Sequence, residues 1–172
     1  MKRNILYGFM LLFILVCLTG CGSVKFKEKQ KDSIKLDSGK VSIVCIADNF
    51  GYSGIDQKIE TTYNFDENLY AINYKVVTTQ KFKSKSVYKT YKDAQEDTVK
   101  TNSSSDILYS LDVDSKNKTL IFTVAVPSID INSASDAEKE RLKASTILKS
   151  IESANDAKYN CKVNGISRSK LN

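Results

Sequence analysis

Histidine is absent from this sequence of 172 residues, which also lacks tryptophan and has a single proline. Without histidine, the chain lacks the commonest general base, the usual partner of a nucleophilic serine or cysteine, and the commonest metal ligand. The single proline and seven glycines exclude collagen-like, proline-rich and other low-complexity chains. We therefore expect a protein that is not an enzyme and that binds no cofactor or metal. Its 41% hydrophobic and 27% charged residues are typical of one folded domain.

Arginine is scarce as well. Of the 26 basic residues, only three are arginines, and the formal net charge of +6 comes from lysine. Specific recognition of phosphates and bases relies on the bidentate guanidinium group. Nucleic acid is therefore not expected as a partner.

The first residues of the chain are typical of an export signal. Lys2 and Arg3 precede an apolar run over residues 5–18, which is too short for a helix that spans about 30 Å of hydrocarbon. The sequence Leu18-Thr19-Gly20-Cys21 follows and resembles the lipobox of bacterial lipoproteins. This resemblance implies cleavage before Cys21, transfer of diacylglyceryl to its sulfur, and often acylation of the new amino terminus. The alternative is an uncleaved anchor, or a secretory signal with an unrelated cysteine.

The resemblance implies a protein anchored by acyl chains, such as palmitate, at the extracytoplasmic face of the cell membrane. Residues 1–20 are then a cleaved signal peptide, residues 21–39 the lipidated cysteine and a flexible tether, and residues 40–172 a single α+β domain. Residues 22–39 mix charges with few apolar side chains and show no sustained period. This tether either lies against anionic lipid or is a solvated spacer.

Alternating apolar residues predict an antiparallel sheet. Val41 and Cys45 belong to a short buried strand, and residues 59–65 and 70–78 alternate with period two, as in a hairpin of half-buried strands. A second hairpin is predicted over residues 107–126. A short strand in residues 158–165 completes the set.

Two helices are predicted between these strands. Residues 84–100 have helical spacing, with one side formed by Val87, Tyr88, Tyr91, Ala94, Gln95 and Thr98. Ser135 and Glu138 have the spacing of a capping box, which opens a helix that extends to about residue 154. The order is β-β-β-α-β-β-α-(β), an α+β domain with an antiparallel sheet and both helices on one face. This order is loosely similar to that of the small YehR-type lipoproteins, a resemblance that implies a fold and no function.

Two cysteines remain for the folded domain. Cys17 leaves with the signal peptide and Cys21 carries the lipid, so Cys45 and Cys161 are left as a pair in a compartment where disulfides persist. We expect them to form a structural disulfide. Two free buried thiols are the alternative. A redox or metal site is not favoured, since the pair has neither C-x-x-C spacing nor a histidine.

Catalytic and metal motifs are weak. The S-x-x-K spacing of a Ser-Lys nucleophile occurs three times, at Ser86 and Lys89, Ser115 and Lys118, and Ser167 and Lys170, and arises by chance in a chain rich in both residues. Residues 112–117 begin like a calcium loop, but lysine at the fifth position and the lack of glycine at the sixth favour a hairpin turn. A hydrolase without histidine is therefore a less favoured hypothesis.

One cluster of charge indicates a binding surface. Aromatic residues separate five lysines, which are Lys81, Lys83, Lys85, Lys89 and Lys92. Such an edge suits an anionic envelope polymer or lipid surface. The alternative is a solvated face whose tyrosines turn into the core. We therefore expect a lipid-anchored, non-catalytic binding or structural module of the cell envelope. Alternatives are an accessory subunit of an envelope protein complex or a binder of anionic polymer or lipid.

Overall fold

The structure is a computed structural model that describes residues 34, 36–48, 53–102, 106–154 and 159–171. The predicted signal peptide, Cys21 and most of the predicted tether lie outside these residues. The strands are β1 (Val41–Asp48), β2 (Ile55–Phe65), β3 (Ala71–Phe82), β4 (Leu108–Asp114), β5 (Thr119–Val126) and β6 (Asn160–Asn164). The helices are α1 (Lys85–Asn102), α2 (Asp136–Leu142) and α3 (Ala144–Glu152), and a 3-10 turn follows at Arg168–Leu171.

The six strands form one antiparallel sheet in the order β4-β5-β3-β2-β1-β6. This arrangement confirms the α+β class and the predicted order of strands, including the short last strand. The longest strands, β2 and β3, form the predicted hairpin at the centre. Their alternating pattern of apolar and polar residues therefore identified the core of the fold.

The helices pack on one face of the sheet. The strand register places Ile43, Tyr63 and Tyr74 on this face, where they form the main core together with buried side chains of α3. Further along the same face, Phe82 belongs to a smaller cluster, which Tyr88 of α1 completes. In the described part of the chain, the opposite face of the sheet carries no helix. That face is called the open face below.

The second predicted helix is interrupted. The capping box of Ser135 and Glu138 is present, and α2 begins there as expected. At Lys143 the backbone becomes extended and forms a bridge with Tyr70, while the Ala144 amide donates a 2.9 Å hydrogen bond to the Leu69 carbonyl. Contact with the turn between β2 and β3 thus breaks the helix, so that three helices replace the expected two.

The end of the predicted tether contacts the open face. The buried Asn73 side chain of β3 donates a 3.0 Å hydrogen bond to the Asp37 carbonyl and accepts one of 2.7 Å from Asn64. A Cβ atom on Gly39 would lie 2.5 Å from the Phe65 carbonyl oxygen, so only glycine allows this close approach. The chain therefore enters the domain at the end of the sheet where β3 begins.

A disulfide joins Cys45 to Cys161, as predicted. The two residues are directly opposite each other in the β1–β6 pair, with their Cα atoms 4.0 Å apart. Cys45 is fully buried, and Cys161 is nearly so. The bond fixes the C-terminal edge strand to the first strand of the domain.

Candidate functional site

Four of the five lysines predicted to form a basic edge lie together at one end of the sheet. Lys81 ends the regular alternation of β3, Lys83 follows that strand, and Lys85 and Lys89 lie in the first two turns of α1. All four are exposed. The register of β2 and β3 places them at the end where β2 begins and β3 ends.

The turn between β4 and β5 brings two more lysines to this end. The Phe82 amide donates a 3.0 Å hydrogen bond to the Lys118 carbonyl, and the Lys118 ammonium donates one of 2.9 Å to the Lys83 carbonyl. The Tyr88 hydroxyl lies 3.1 Å from that of Ser115 in the same turn. We call the resulting surface the basic pole; it consists of Lys81, Lys83, Lys85, Lys89, Lys116 and Lys118.

Sequence reasoning missed Lys116 and Lys118 because they are more than 25 residues from Lys89 along the chain. The signal that could have found them is the second hairpin, since its turn must lie at one end of the sheet. Choosing the correct end requires the strand order, in which β5 pairs with β3. That pairing aligns Lys81 with Thr119, next to the turn.

Lys92, the fifth predicted lysine, is not part of the basic pole. It is half-buried, and its ammonium lies 2.8 Å from the Glu96 carboxylate one helical turn later. The hydrogen bond and the charge of Glu96 raise the pKa of Lys92 above its ordinary value. Its positive charge is therefore compensated within the helix, and an external anion gains little from it.

The lysines of the basic pole are less compensated. Lys83 lies 3.7 Å from Asp56, and both side chains are largely exposed, so this ion pair is weak. Among the described residues, no acidic side chain forms an ion pair with Lys81, Lys85 or Lys89. The nearby Asp114 carboxylate accepts hydrogen bonds from Asn117, which lower the pKa of Asp114 and keep it negatively charged. Asp56 and Asp114 therefore offset part of the charge of the six lysines, and the local charge remains positive.

The aromatic residues between these lysines face inward. Phe82 and Tyr88 are buried, with ring centroids 5.8 Å apart, and the half-buried Tyr91 ring is tilted against that of Phe82, with centroids 5.2 Å apart. They pack with Leu120 in the smaller apolar cluster. The basic pole thus offers ammonium groups without exposed aromatic rings. Recognition there depends on charge and not on stacking.

Two features of the basic pole are unfavourable for the stability of the fold. Helix α1 has no acidic residue in its first turn, and its acidic residues, Asp93, Glu96 and Asp97, come after its first three lysines. This order opposes the helix dipole, which favours acidic residues near the N-terminus. Lys118 has a φ of 51°, a left-handed conformation in which glycine or asparagine is usual. Lysine at the start of α1 and at position 118 therefore lowers the local stability of the fold.

The other motifs show local structural roles. In the three S-x-x-K pairs the serine hydroxyls contact other hydroxyls: Ser86 lies 2.9 Å from Ser84, Ser115 lies 3.1 Å from Tyr88, and Ser167 lies 3.2 Å from Ser169. The calcium-like residues 112–117 form the end of β4 and most of the following hairpin turn, which the Asp114 carboxylate holds by accepting hydrogen bonds from Asn117. In the part of the chain that the structure describes, no three acidic or cysteine residues are grouped to hold a metal ion.

Comparisons with known proteins show a distant structural likeness and no family. No protein-family model matches the chain, and no curated protein matches its sequence. Among solved structures, the chain is similar to that in the NMR structure of a protein from Streptococcus pneumoniae TIGR4, with 16% identity and a TM-score of 0.39. The match covers 82% of this chain and 100% of that one. Within the described ranges, no helix has the length and apolar character needed to cross a membrane.

Proposed function

We propose that this protein is an exported bacterial lipoprotein, anchored through lipid on Cys21, whose α+β domain is a non-catalytic binding or structural module at the outer face of the cell membrane. The proposal begins from the sequence Leu18-Thr19-Gly20-Cys21 after a charged start and an apolar run. The domain is joined to this anchor at the end of the sheet where Asp37 contacts Asn73.

The observation that carries the proposal is the disulfide between Cys45 and Cys161. Disulfides persist in oxidising compartments, whereas the cytosol keeps most thiols reduced. The bond lies between directly opposed strands, and its buried sulfurs are protected from small reductants. A structural disulfide of this kind supports export from the cytosol, independently of the pattern around Cys21.

Metabolic labelling of the full chain in a bacterial host tests the anchor. Cells that express the protein are grown with a palmitate analogue, and the membrane fraction is probed for labelled protein. We expect label in the wild-type chain and none in Cys21→Ala. The matched control is Cys17→Ala, which removes a cysteine four residues earlier and should retain the label. Equal labelling of wild type and Cys21→Ala, or no labelling of wild type, would contradict the proposal.

The state of Cys45 and Cys161 in the same cells gives a second test. Alkylation before and after reduction distinguishes a disulfide from free thiols. We expect the pair to be oxidised in exported protein and reduced when residues 1–20 are deleted, because the chain then remains in the cytosol. Free thiols in the exported protein would remove the main support for the proposal.

A further inference from the structure

We propose that the basic pole binds a linear phosphate-bearing polymer of the cell envelope, on the side of the domain that points away from the anchoring membrane. The inference rests on the proposed function, because it takes the lipid on Cys21 as the attachment point. It adds the partner and the orientation in which the domain meets that partner.

The geometry of β3 separates the anchor from the basic pole. Near the end of the predicted tether, the Asp37 carbonyl accepts a hydrogen bond from Asn73, which lies near the beginning of this strand. Lys81 lies eight residues further along the same strand, roughly 26 Å away at about 3.3 Å per residue. The attraction of lysines to anionic lipid falls off within a Debye length of about 8 Å. With the attachment end towards the membrane, these lysines therefore lie beyond its field.

The chemistry of the basic pole fits a repeated anion. Lys81, Lys83, Lys85 and Lys89 are exposed ammonium groups that follow one another at short intervals along a strand end and a helix start. Phe82 and Tyr88 are buried, Tyr91 is partly buried against them, and the six residues include no guanidinium group. Such a surface lacks the stacking and forked hydrogen bonds that select a compact ligand. It suits a polymer that presents many phosphates in series.

Two features that are unfavourable for local stability support a binding role for the basic pole. Lysines at the start of α1 oppose the helix dipole, and Lys118 has a strained left-handed backbone. Residues that break local rules of stability are expected at functional sites. Both features lie in the basic pole, where the Lys118 ammonium is held against the Lys83 carbonyl. A left-handed backbone also occurs at Leu69 in the β2–β3 turn, with a φ of 64°, so the backbone at Lys118 supports the inference only together with the charge order of α1.

Capture of polymer by vesicles that carry the full, lipidated chain tests the inference. The protein is placed in vesicles of phosphatidylcholine or of phosphatidylcholine with phosphatidylglycerol. Fluorescent poly(glycerol phosphate) is the polymer probe, and a second population of protein-free phosphatidylglycerol vesicles is the lipid probe. Binding is measured at low and high salt. We expect salt-sensitive capture of polymer, equal for both carrier vesicles, because the basic pole points away from the carrier bilayer.

A triple variant identifies the surface. Lys81→Gln, Lys85→Gln and Lys89→Gln together remove three charges that form no ion pair among the described residues, although Asp56 lies opposite Lys81 in the β2–β3 register. We expect roughly a hundredfold weaker capture of polymer at low salt, or about fivefold for each lysine. The matched control removes three exposed lysines elsewhere, by Lys149→Gln, Lys162→Gln and Lys170→Gln, and should change capture by less than about threefold. Equal losses in both variants would show that net charge, and not the basic pole, binds the polymer.

Other results of the vesicle experiment would contradict polymer binding by the basic pole. Capture of protein-free anionic vesicles as strong as capture of polymer would replace the polymer with a lipid surface. Polymer capture by neutral but not by anionic carriers would mean that the lysines lie on the anchoring membrane. Absence of capture by correctly lipidated protein would overturn this inference and leave the proposed anchor intact. Absence of label on Cys21 would instead overturn the proposed function.

Discussion

Removal of the Cys45–Cys161 disulfide should be the most damaging change to the stability of this domain. The bond closes a loop with a sequence separation of 116 residues. In the chain-entropy model, a cross-link over a loop of that length lowers the entropy of the unfolded chain enough to stabilise the fold by about 4.8 kcal/mol. Total stabilities of single domains are about 5–15 kcal/mol, so the loss is a large fraction of the total.

Urea unfolding measures this loss. In a chain that begins at residue 22, Cys45 and Cys161 are the remaining cysteines, which avoids other pairings. With a denaturant slope of about 2 kcal/mol per molar, the expected loss lowers the urea midpoint by about 2 M. Wild type under reducing conditions keeps the buried sulfur atoms, whereas Cys45→Ala with Cys161→Ala also removes them. The difference in unfolding free energy between these two samples therefore reports the packing of the sulfur atoms. The loss that both show relative to oxidised wild type reports the cross-link.

The reasoning would be refuted if oxidised and reduced wild type unfolded within about 0.5 M urea of each other. Such a result would mean that the unfolded chain is already compact around these residues, or that β6 contributes little. Amide exchange distinguishes the two explanations. Protection of β6 (Asn160–Asn164) should fall after reduction, since this short edge strand pairs with β1 alone.

Three further substitutions and one control substitution test the fold and the basic pole. Ser135→Ala should lower the free energy of unfolding by about 1 kcal/mol, because it removes the side-chain hydrogen bonds of the capping box and keeps the bond from the Ser135 amide to the Glu138 carboxylate. The hydrogen bonds from Ser135 lower the pKa of Glu138 below its ordinary value of 4.5, so the stabilisation that they give is present above that pH and is lost as the pH falls through the lowered pKa. The difference between the urea midpoints of wild type and variant should therefore narrow as the pH falls below 4.5 without vanishing, because the Glu138 amide still donates to the Ser135 hydroxyl in the wild type. Asn73→Ala should lower the free energy of unfolding by about 2 kcal/mol because it leaves the buried Asn64 amide unpaired. The control Asn164→Ala removes an exposed hydrogen bond and should lower this free energy by under about 0.5 kcal/mol. Equal urea midpoints for the two variants would contradict this expectation. Lys85→Glu should raise the free energy of unfolding by about 1 kcal/mol, because an acidic residue in the first turn of α1 suits the helix dipole, and it should weaken polymer capture. A lower melting temperature for this variant would contradict the view that lysine at the start of α1 destabilises the fold.

Much of the fold follows from local sequence patterns. Alternation along β2 and β3 is strong because each strand buries one face and leaves the other polar, and the register then places Tyr63 opposite Tyr74 as the hairpin requires. The capping box at Ser135 is a local device whose partners are three residues apart. The disulfide was predictable by elimination, once Cys17 and Cys21 were assigned to the signal peptide and the anchor.

The structure differs from the sequence-based prediction where a contact with a residue distant in sequence overrides a local preference. Nothing between residues 135 and 154 stops a helix, and the break at Lys143 comes from the Leu69 carbonyl and the bridge to Tyr70. Similarly, Val87 and Ala94 were predicted on the packed side of α1, yet both are exposed because the helix contacts the sheet through a narrower stripe. A helix that lies near the sheet edge needs fewer buried positions than its periodicity suggests.

The charged residues of the basic pole could also be predicted only in part from the sequence. Sequence proximity identified Lys81 to Lys89, but it also included Lys92, which Glu96 compensates, and it could not include Lys118. Whether a lysine attracts an external anion depends on the acids that surround it in space, and those are set by strand order. Lysine is unfavourable for local stability at the start of α1, where a neutral or acidic residue would suit the helix dipole, and at position 118, where the left-handed backbone favours glycine. These local costs are the reason that we propose polymer binding, and not solubility alone, as the role of the basic pole.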